Sequence, residues 1–391
     1  MPVTSLSPPT WTAIPLPLVQ EGQHVARICN ACRYCEGFCA VFPAIERRLS
    51  FSEKDLNYLA NLCHDCGECL DACQYAPPHE FGVDVPRTFA AIRRASYRGY
   101  AWPPWFGGLF ERSALALLLG AGLAPFLFAL VLGMLTGTDV FLAPHAVEDG
   151  AFYQVMPHTA MIGLFGAIGF YAAAALLVGL SRCWREMADI SRAAPGVGAL
   201  RQALLDVLTL RYLTDDGDGN GGDGTGGGCV PDGDPTREFR RRWHHCTFYG
   251  FLLCFAATSV AAFYHNVLGW VAPYPVLSVP VLLGIMGGAG LLAGPVGLLW
   301  LKMRRPPERH DQVQFGMDLV FLVLLFETSL TGFLLLASRE SAAMGPLLGV
   351  HLGAVAGLFL MLPYGKFVHG LYRACALVCS ASETRAGSLA K

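Results

Sequence analysis

Eight of the 14 cysteines fall into two short runs that share one spacing. In each run two residues separate the first three cysteines from one another, and three residues precede the fourth. This is the spacing of [4Fe-4S] ferredoxin motifs, in which cysteine thiolates hold the iron. The first run is Cys29, Cys32, Cys35 and Cys39, and the second is Cys63, Cys66, Cys69 and Cys73.

The fourth cysteine of each run is predicted to bind the cluster of the other run, as in two-cluster ferredoxins. The proline that usually follows the fourth cysteine comes four residues later in both runs, at Pro43 and Pro77, so we interpret it as a shared variant. Two tetrahedral zinc sites are the alternative, but they would leave the regular spacing unexplained. We therefore expect one cluster on Cys29, Cys32, Cys35 and Cys73 and a second on Cys63, Cys66, Cys69 and Cys39.

The remaining sequence predicts a membrane domain. The chain has 391 residues, of which 53% are hydrophobic and 15% charged, whereas about a quarter of the residues in soluble domains are charged. The net charge of -2 argues against a nucleic-acid binder, which would carry a strongly basic face. Six stretches are long enough to cross about 30 Å of hydrocarbon as helices: 114–135, 157–180, 247–268, 277–301, 317–337 and 345–369.

The basic residues predict the orientation of these spans. Of the 28 Lys and Arg residues, only Arg339 falls in a loop of one side, and all others fall in the alternate segments. The positive-inside rule makes the basic side cytoplasmic. The first 28 residues lack the pattern of a secretory signal. Both termini and both cysteine runs are therefore expected in the reducing cytoplasm, where thiols stay available for clusters.

The predicted fold is mainly α, with an α-helical two-cluster ferredoxin-like domain in residues 1–100 and a six-helix transmembrane bundle in 101–391. A segment rich in Gly and Asp at 215–235 is predicted to be a cytoplasmic linker. It resembles a calcium loop at its start, but Gly227 stands where a bidentate Glu is required. Gly288 to Ala293 matches a dinucleotide fingerprint without a preceding strand, so we interpret these glycines as helix contacts or room for a flat cofactor.

Six histidines lie near the ends of the predicted spans and could bind b-type haem. Neutral imidazoles are suitable axial ligands, and ionisable residues within spans indicate function. In one continuous helix, His351 and His369 would be five turns apart on one face, about 27 Å along the axis. Spans 3 and 6 could then hold one or two haems by bis-histidine ligation. Candidates near the periplasmic face are His158, His265 and His351, and those near the cytoplasmic face are His244, His245 and His369.

Two further features leave alternatives open. Glu327 lies at mid-depth in span 5, where it could relay protons or be a structural carboxyl beside Thr328 and Ser329. The segment from Trp102 to Phe106 could anchor the chain at the membrane interface or line a quinone site.

The two cysteine runs resemble those of the tricarballylate utilization protein B family, also called the citrate utilization B-type family. The resemblance extends to Arg241-Arg242-Trp243-His244-His245 and to Leu362-Pro363-Tyr364-Gly365-Lys366-Phe367-Val368-His369. It covers nearly the whole chain, and the glycine-rich linker matches least. It implies a protein of the bacterial inner membrane that carries iron-sulfur clusters and b-type haem.

The resemblance also implies a partner, an FAD-dependent tricarballylate dehydrogenase whose reduced flavin this protein would reoxidise. Quinone is the expected acceptor. The residues alone predict a relay of single electrons from cytoplasm to membrane and do not identify the substrate of the partner. Two alternatives are an electron-transfer subunit for a different flavoprotein and a non-catalytic membrane redox sensor.

Overall fold

The computed structural model describes residues 11–146, 150–191, 195–213 and 235–389. Almost all of the predicted linker at 215–235 and the whole rejected calcium loop lie outside these described residues. Within them the chain is almost entirely helical, which confirms the predicted fold class.

In the described part of the N-terminal domain, five helices carry and surround the cysteine runs. Pro17 lies in the first turn of α1, where its missing N–H costs nothing. Ser52 and Asp55 form a reciprocal capping box at the start of α3, and Asp84 caps α5 by accepting from the Arg87 N–H. The helices are α1 Leu16–Cys32, α2 Val41–Glu46, α3 Glu53–Leu62, α4 Glu68–Asp71 and α5 Val85–Tyr100.

Within the part of the chain that the structure describes, six helical segments are long and apolar enough to cross a membrane, as the sequence predicted. The first contains α6 Ser113–Leu117 and α7 Ala124–Thr136, joined by a π-helical stretch at Leu118–Leu123. Two short helices, α8 Thr138–Phe141 and α9 Ala151–Val155, follow it, and α11 Val197–Thr209 lies between the second and third spans. The other spans are α10 His158–Ser191, α12 Pro235–Leu268, α13 Val279–Met303, α14 Gln312–Ser338, and α15 Met344–Met361 with α16 Val368–Leu389.

The sixth span is interrupted, so the prediction of one continuous helix from His351 to His369 was wrong. After α15 the chain forms a single 3-10 turn at Leu362–Tyr364, and Gly365 is extended. Pro363 has no N–H to continue the α-helical ladder, which explains the interruption. The two histidines are therefore not related by five turns of one helix.

Glycines bring the spans into close contact. A Cβ added at Gly290 would lie 2.7 Å from the Cys246 carbonyl oxygen on α12, and one at Gly357 would lie 2.7 Å from the Gly120 oxygen in the first span. Small residues of this kind let transmembrane helices approach backbone to backbone. The interpretation of Gly290 as a helix contact is confirmed.

Two long helices connect the membrane bundle to the N-terminal domain. The 34 residues of α10 extend about 51 Å, well beyond a hydrocarbon core of about 30 Å. On α16, Glu383 accepts from Arg48 at 2.6 Å, and Arg48 also pairs with Asp55 at 2.8 Å. On α10, Glu186 accepts a short hydrogen bond from the Thr12 hydroxyl. These contacts fix the cysteine domain on one end of the bundle.

Candidate redox site

Thiols from both cysteine runs line one cavity. Its volume is about 240 Å³, and its apolar lining includes Tyr34, Phe42, Val83 and Val85. The first three cysteines of the first run contribute to it together with the fourth cysteine of the second run. The structure thus brings together the four residues predicted for one cluster, and Cys69 reaches the same cavity; the thiols are those of Cys29, Cys32, Cys35, Cys69 and Cys73.

The second group of thiols lies beside the first. Cys39 faces Cys63 and Cys66, and Cys69 faces the same two thiols as well as Cys35. This grouping is the crossed one that the spacing predicts. Cys69 and Cys35 line the same cavity, so the two groups lie near each other.

The two cysteine loops share a local backbone conformation. The residue after the second cysteine has a positive φ in both loops, 56° at Arg33 and 82° at Gly67. A left-handed residue reverses the chain direction sharply, and glycine adopts this conformation without steric cost. The loop can therefore curl so that its three cysteines turn toward one side.

The thiols require compensation by positive charge to become ligands. Burial, with the neighbouring thiols of Cys35 and Cys73, raises the pKa of Cys29 to about 12. Burial, with the nearby Glu68 carboxylate, raises the pKa of Cys66 to about 12. Only the thiolate binds metal, so these cysteines would release their protons to solvent on binding iron. No three His, Cys, Asp or Glu side chains in the described ranges converge closely enough to hold a single metal ion.

A histidine of the second loop joins the cysteine domain to the membrane helices. The His64 ring lies 5.2 Å from the His244 ring on α12 and 5.3 Å from the His369 ring on α16, measured between centroids. The Nδ1 atom of His244 has no hydrogen-bond partner among the described residues. Loss of water around the ring and the nearby Arg373 charge lower the pKa of His64 well below its usual range. The structure therefore gathers two predicted haem ligands around a neutral third imidazole that the sequence reasoning missed.

A large cavity lies inside the membrane bundle and has His351 in its wall. Its volume of about 830 Å³ lies within the range of roughly 300–1,000 Å³ typical of small-molecule sites. Thr331 Oγ1 lies 3.1 Å from His351 Nδ1 and donates its own proton to the Glu327 carbonyl oxygen. With Nδ1–H donating to Thr331, Nε2 is left to bind iron, and such a partner commonly orients a histidine ligand. Aromatic and small residues complete the wall, among them Phe251, Phe255, Phe333, Phe359, Gly284 and Gly288.

The other predicted histidines lie apart from both the His64 contact and the large cavity. His158 and His265 stack on each other with ring centroids 3.5 Å apart, and neither lines the large cavity. His245 turns away from His244 toward the end of α11, where it faces the backbone of Leu208 and Thr209. Their roles as ligands stay predictions.

Glu327 and Trp102 also have defined surroundings. The hydroxyls of Thr328 and Ser329 donate to the backbone oxygens of Leu324 and Gly288, so neither holds the Glu327 carboxylate. Glu327 Oε2 has no hydrogen-bond partner among the described residues.

Trp102 belongs to an aromatic group at the break in the sixth span. Its carbonyl accepts from the Tyr364 hydroxyl at 3.0 Å, and Tyr364 is also paired with Tyr171.

Comparison with known proteins gives the same division of the chain into cysteine and membrane parts. Residues 108–390 match the family described as citrate utilization protein B, and residues 22–99 match its Fer4-like domain. The chain is 48% identical over 370 residues to citrate utilization protein B of Escherichia coli, covering 95% of this chain and 94% of that one. No solved structure matches the chain. The six membrane-type helices, the ferredoxin-like domain and these similarities identify the chain as a multi-pass member of the citrate utilization protein B family.

Proposed function

We propose that this protein accepts electrons from a reduced flavoprotein in the cytoplasm and delivers them to quinone in the membrane. The observation that carries the proposal is the contact of His64 with His244 and His369. His64 lies between two predicted cluster ligands, whereas the other two histidines belong to the membrane spans. A continuous set of candidate cofactor ligands and their neighbours therefore leads from the cysteine domain into the bundle.

The residues fit two kinds of redox cofactor. The eight cysteines would hold two [4Fe-4S] clusters in the crossed arrangement, because their thiols form the two groups described above. His351 would bind b-type haem in the large cavity, and His244 with His369 would be the ligands of a second haem. When bound, clusters and haem each exchange single electrons, whereas a reduced flavin holds two. The chain supplies apolar surroundings and fixes the orientation of the His351 imidazole through Thr331. It also places His64 where the cysteine domain meets the membrane bundle.

The proposed exit for electrons is the aromatic group around Trp102. The ring of Phe106 lies 5.3 Å from that of Tyr364, and Trp105 is 76% exposed. Aromatic rings at a membrane interface suit a lipophilic ring substrate, and the hydroxyls of Tyr171 and Tyr364 provide hydrogen-bonding groups. These features support quinone as the acceptor.

The proposed donor is an FAD-dependent tricarballylate dehydrogenase that docks on the cysteine domain. The bias of basic residues supports placing that domain, with both termini, on the cytoplasmic side of the inner membrane. The basic segment Arg237 to Arg242 is helical and belongs to α12. Arg240 is engaged with Glu68 at 2.8 Å, so this segment contributes to attachment of the domain as well as to its charge.

Reoxidation of the partner flavin tests the function directly. The purified protein, reconstituted in liposomes with a quinone analogue, is mixed with pre-reduced tricarballylate dehydrogenase, and flavin absorbance is followed anaerobically. We expect reoxidation that depends on both the protein and quinone. His64→Phe should slow it, whereas His24→Phe, on an exposed residue of the same domain, should not.

The outcomes separate the alternatives. Reoxidation with another reduced flavoprotein but not with this dehydrogenase would support the second partner class. Failure to reoxidise any flavin, by protein with its cofactors intact, would reject electron transfer and favour the redox-sensor function.

A further inference from the structure

The two groups of thiols differ in the charges that surround them. Arg373, on α16, is buried, and its charge faces Cys39, Cys63 and Cys66. Its Nε donates to the Leu62 carbonyl at 3.2 Å, and its guanidinium lies over the Tyr212 ring. A membrane-domain helix thus places a cation beside the second thiol group.

Three more guanidinium groups bind the second cysteine loop, Cys63–Glu68. Arg93 is fully buried and donates to the carbonyl of Cys63 at 2.8 Å, while its other nitrogen lies 3.9 Å from Asp65. Arg305 donates to the carbonyls of Asp65 and Cys66. Arg240 pairs with Glu68. Among the described residues, three guanidinium groups therefore contact the segment Cys63–Glu68 and that of Arg373 lies beside it, whereas the segment itself carries two carboxylates, those of Asp65 and Glu68.

Among the described residues, the first thiol group has no comparable set of buried cations around it. The charges that face Cys29 and Cys35 are those of the neighbouring thiols, and Cys73 faces Asp84. Arg33, in the matching loop, is exposed and donates to the Asn30 carbonyl at 3.2 Å. Water screens an exposed charge, whereas a buried charge acts at close to full strength.

We infer that Arg93, Arg305 and Arg373 raise the reduction potential of the site formed by Cys39, Cys63, Cys66 and Cys69 above that of the site formed by Cys29, Cys32, Cys35 and Cys73. Reduction adds one electron to a cluster and makes its charge one unit more negative, with no bond formed or broken. Nearby positive charge stabilises the reduced form, and net charge is one of the properties that set cluster potentials. This inference rests on the proposed function, since it requires both clusters.

The difference in reduction potential between the two sites gives electron transfer a direction. The site with the lower potential includes Cys32 and opens at the surface near Tyr34, which is 44% exposed. The site with the higher potential lies against His64 and α16, beside the membrane histidines. An electron that enters at the surface site is therefore drawn inward to the site next to the bundle. Arg373 is a positioning residue in this scheme, because it acts through the thiolates and contacts no substrate.

A redox titration of the purified full-length protein, monitored by electron paramagnetic resonance, tests the inference. The clusters are distinguished by Cys39→Ser and Cys73→Ser, which should each alter a different signal. In the wild type we expect the signal altered by Cys39→Ser to appear at the higher potential. Arg373→Met and Arg305→Met should each lower that potential. Arg373→Lys keeps the charge, so its potential should stay close to that of the wild type.

Arg33→Met is the matched control, since it makes the same change at an exposed position of the other loop, and it should move neither potential. Equal potentials in the wild type, or equal shifts of both signals in Arg373→Met and Arg305→Met, would overturn the inference and leave the proposed function standing. Protein that assembles fewer than two clusters under anaerobic conditions would overturn both the inference and the proposed function.

Discussion

The imidazole of His64 lies edge-on against that of His244, with ring centroids 5.2 Å apart and planes inclined at 62°. One ring stands within the second cysteine loop and the other near the end of a transmembrane helix, 180 positions later in the chain. The contact joins the cysteine domain to the membrane domain. It is also the relationship that the proposed function depends on most.

Changing His64 should disturb the membrane histidines without removing the clusters. His64→Phe keeps an aromatic ring beside His244 and His369 but removes both ring nitrogens. We expect the iron and sulfide content to stay unchanged, while the optical or paramagnetic spectrum of the haem assigned to this pair shifts. His24→Phe should leave that spectrum as it is. A haem spectrum identical to the wild type in His64→Phe would show that this pair binds no haem.

The cluster content of the wild type should be about eight iron and eight sulfide per chain, the sum of two four-iron clusters. Metal and sulfide analysis of anaerobically purified protein measures this directly. Cys39→Ser should perturb mainly the cluster of Cys63, Cys66 and Cys69, because the Cys39 thiol faces the second group. Cys246→Ser, outside both runs, should change neither. Zinc in stoichiometric amount with little iron would reject the cluster assignment.

Removal of the His351 imidazole should lower the haem content. His351→Phe deletes the predicted ligand in the wall of the large cavity, and we expect less extractable b-type haem per chain. Thr331→Val should retain the ligand but weaken haem binding about 10- to 100-fold, as expected for loss of a group that orients a ligand. His145→Gln, in an exposed loop, serves as the control. Full haem content in well-folded His351→Phe would contradict this assignment.

Asp318 joins three spans and should be important for stability. Its carboxylate lies 2.5 Å from Lys302 on α13 and 2.9 Å from Lys366, which precedes α16. Asp318→Asn would leave two lysines without their counter-charge, and loss of one partner of a buried ion pair typically costs about 3–5 kcal/mol. Unfolding in mixed micelles of increasing detergent strength should measure a loss of this order.

The matched control for that variant is Asp189→Asn. Asp189 pairs with Lys54 at 2.9 Å, but its side chain is 50% exposed. Exposed pairs contribute about 0–1 kcal/mol, so the midpoint of unfolding should hardly move. Equal effects of the two variants would indicate that the Asp318 site is accessible to water.

The sequence by itself determined the features that depend on spacing and length. Two cysteine runs with identical intervals predicted two similar loops, since loop curvature is a local property, and the pattern of two-cluster ferredoxins predicted the crossed grouping of their thiols. Six long apolar stretches predicted six spans, because hydrocarbon thickness fixes the length of a helix. Even the break at Pro363 was present as a local signal, although its effect on the spacing of His351 and His369 was not recognised.

Only the tertiary structure decided which side chains meet. The rotation of each helix about its axis depends on packing against its neighbours, so the sequence did not show that His265 stacks on His158 while His351 enters the cavity. Arg373 lies more than 300 positions from Cys63, and only the fold brings its charge to that thiol. His64 carried a visible signal, its place between two cysteines, but its partners come from two distant spans, and their approach is a consequence of packing alone.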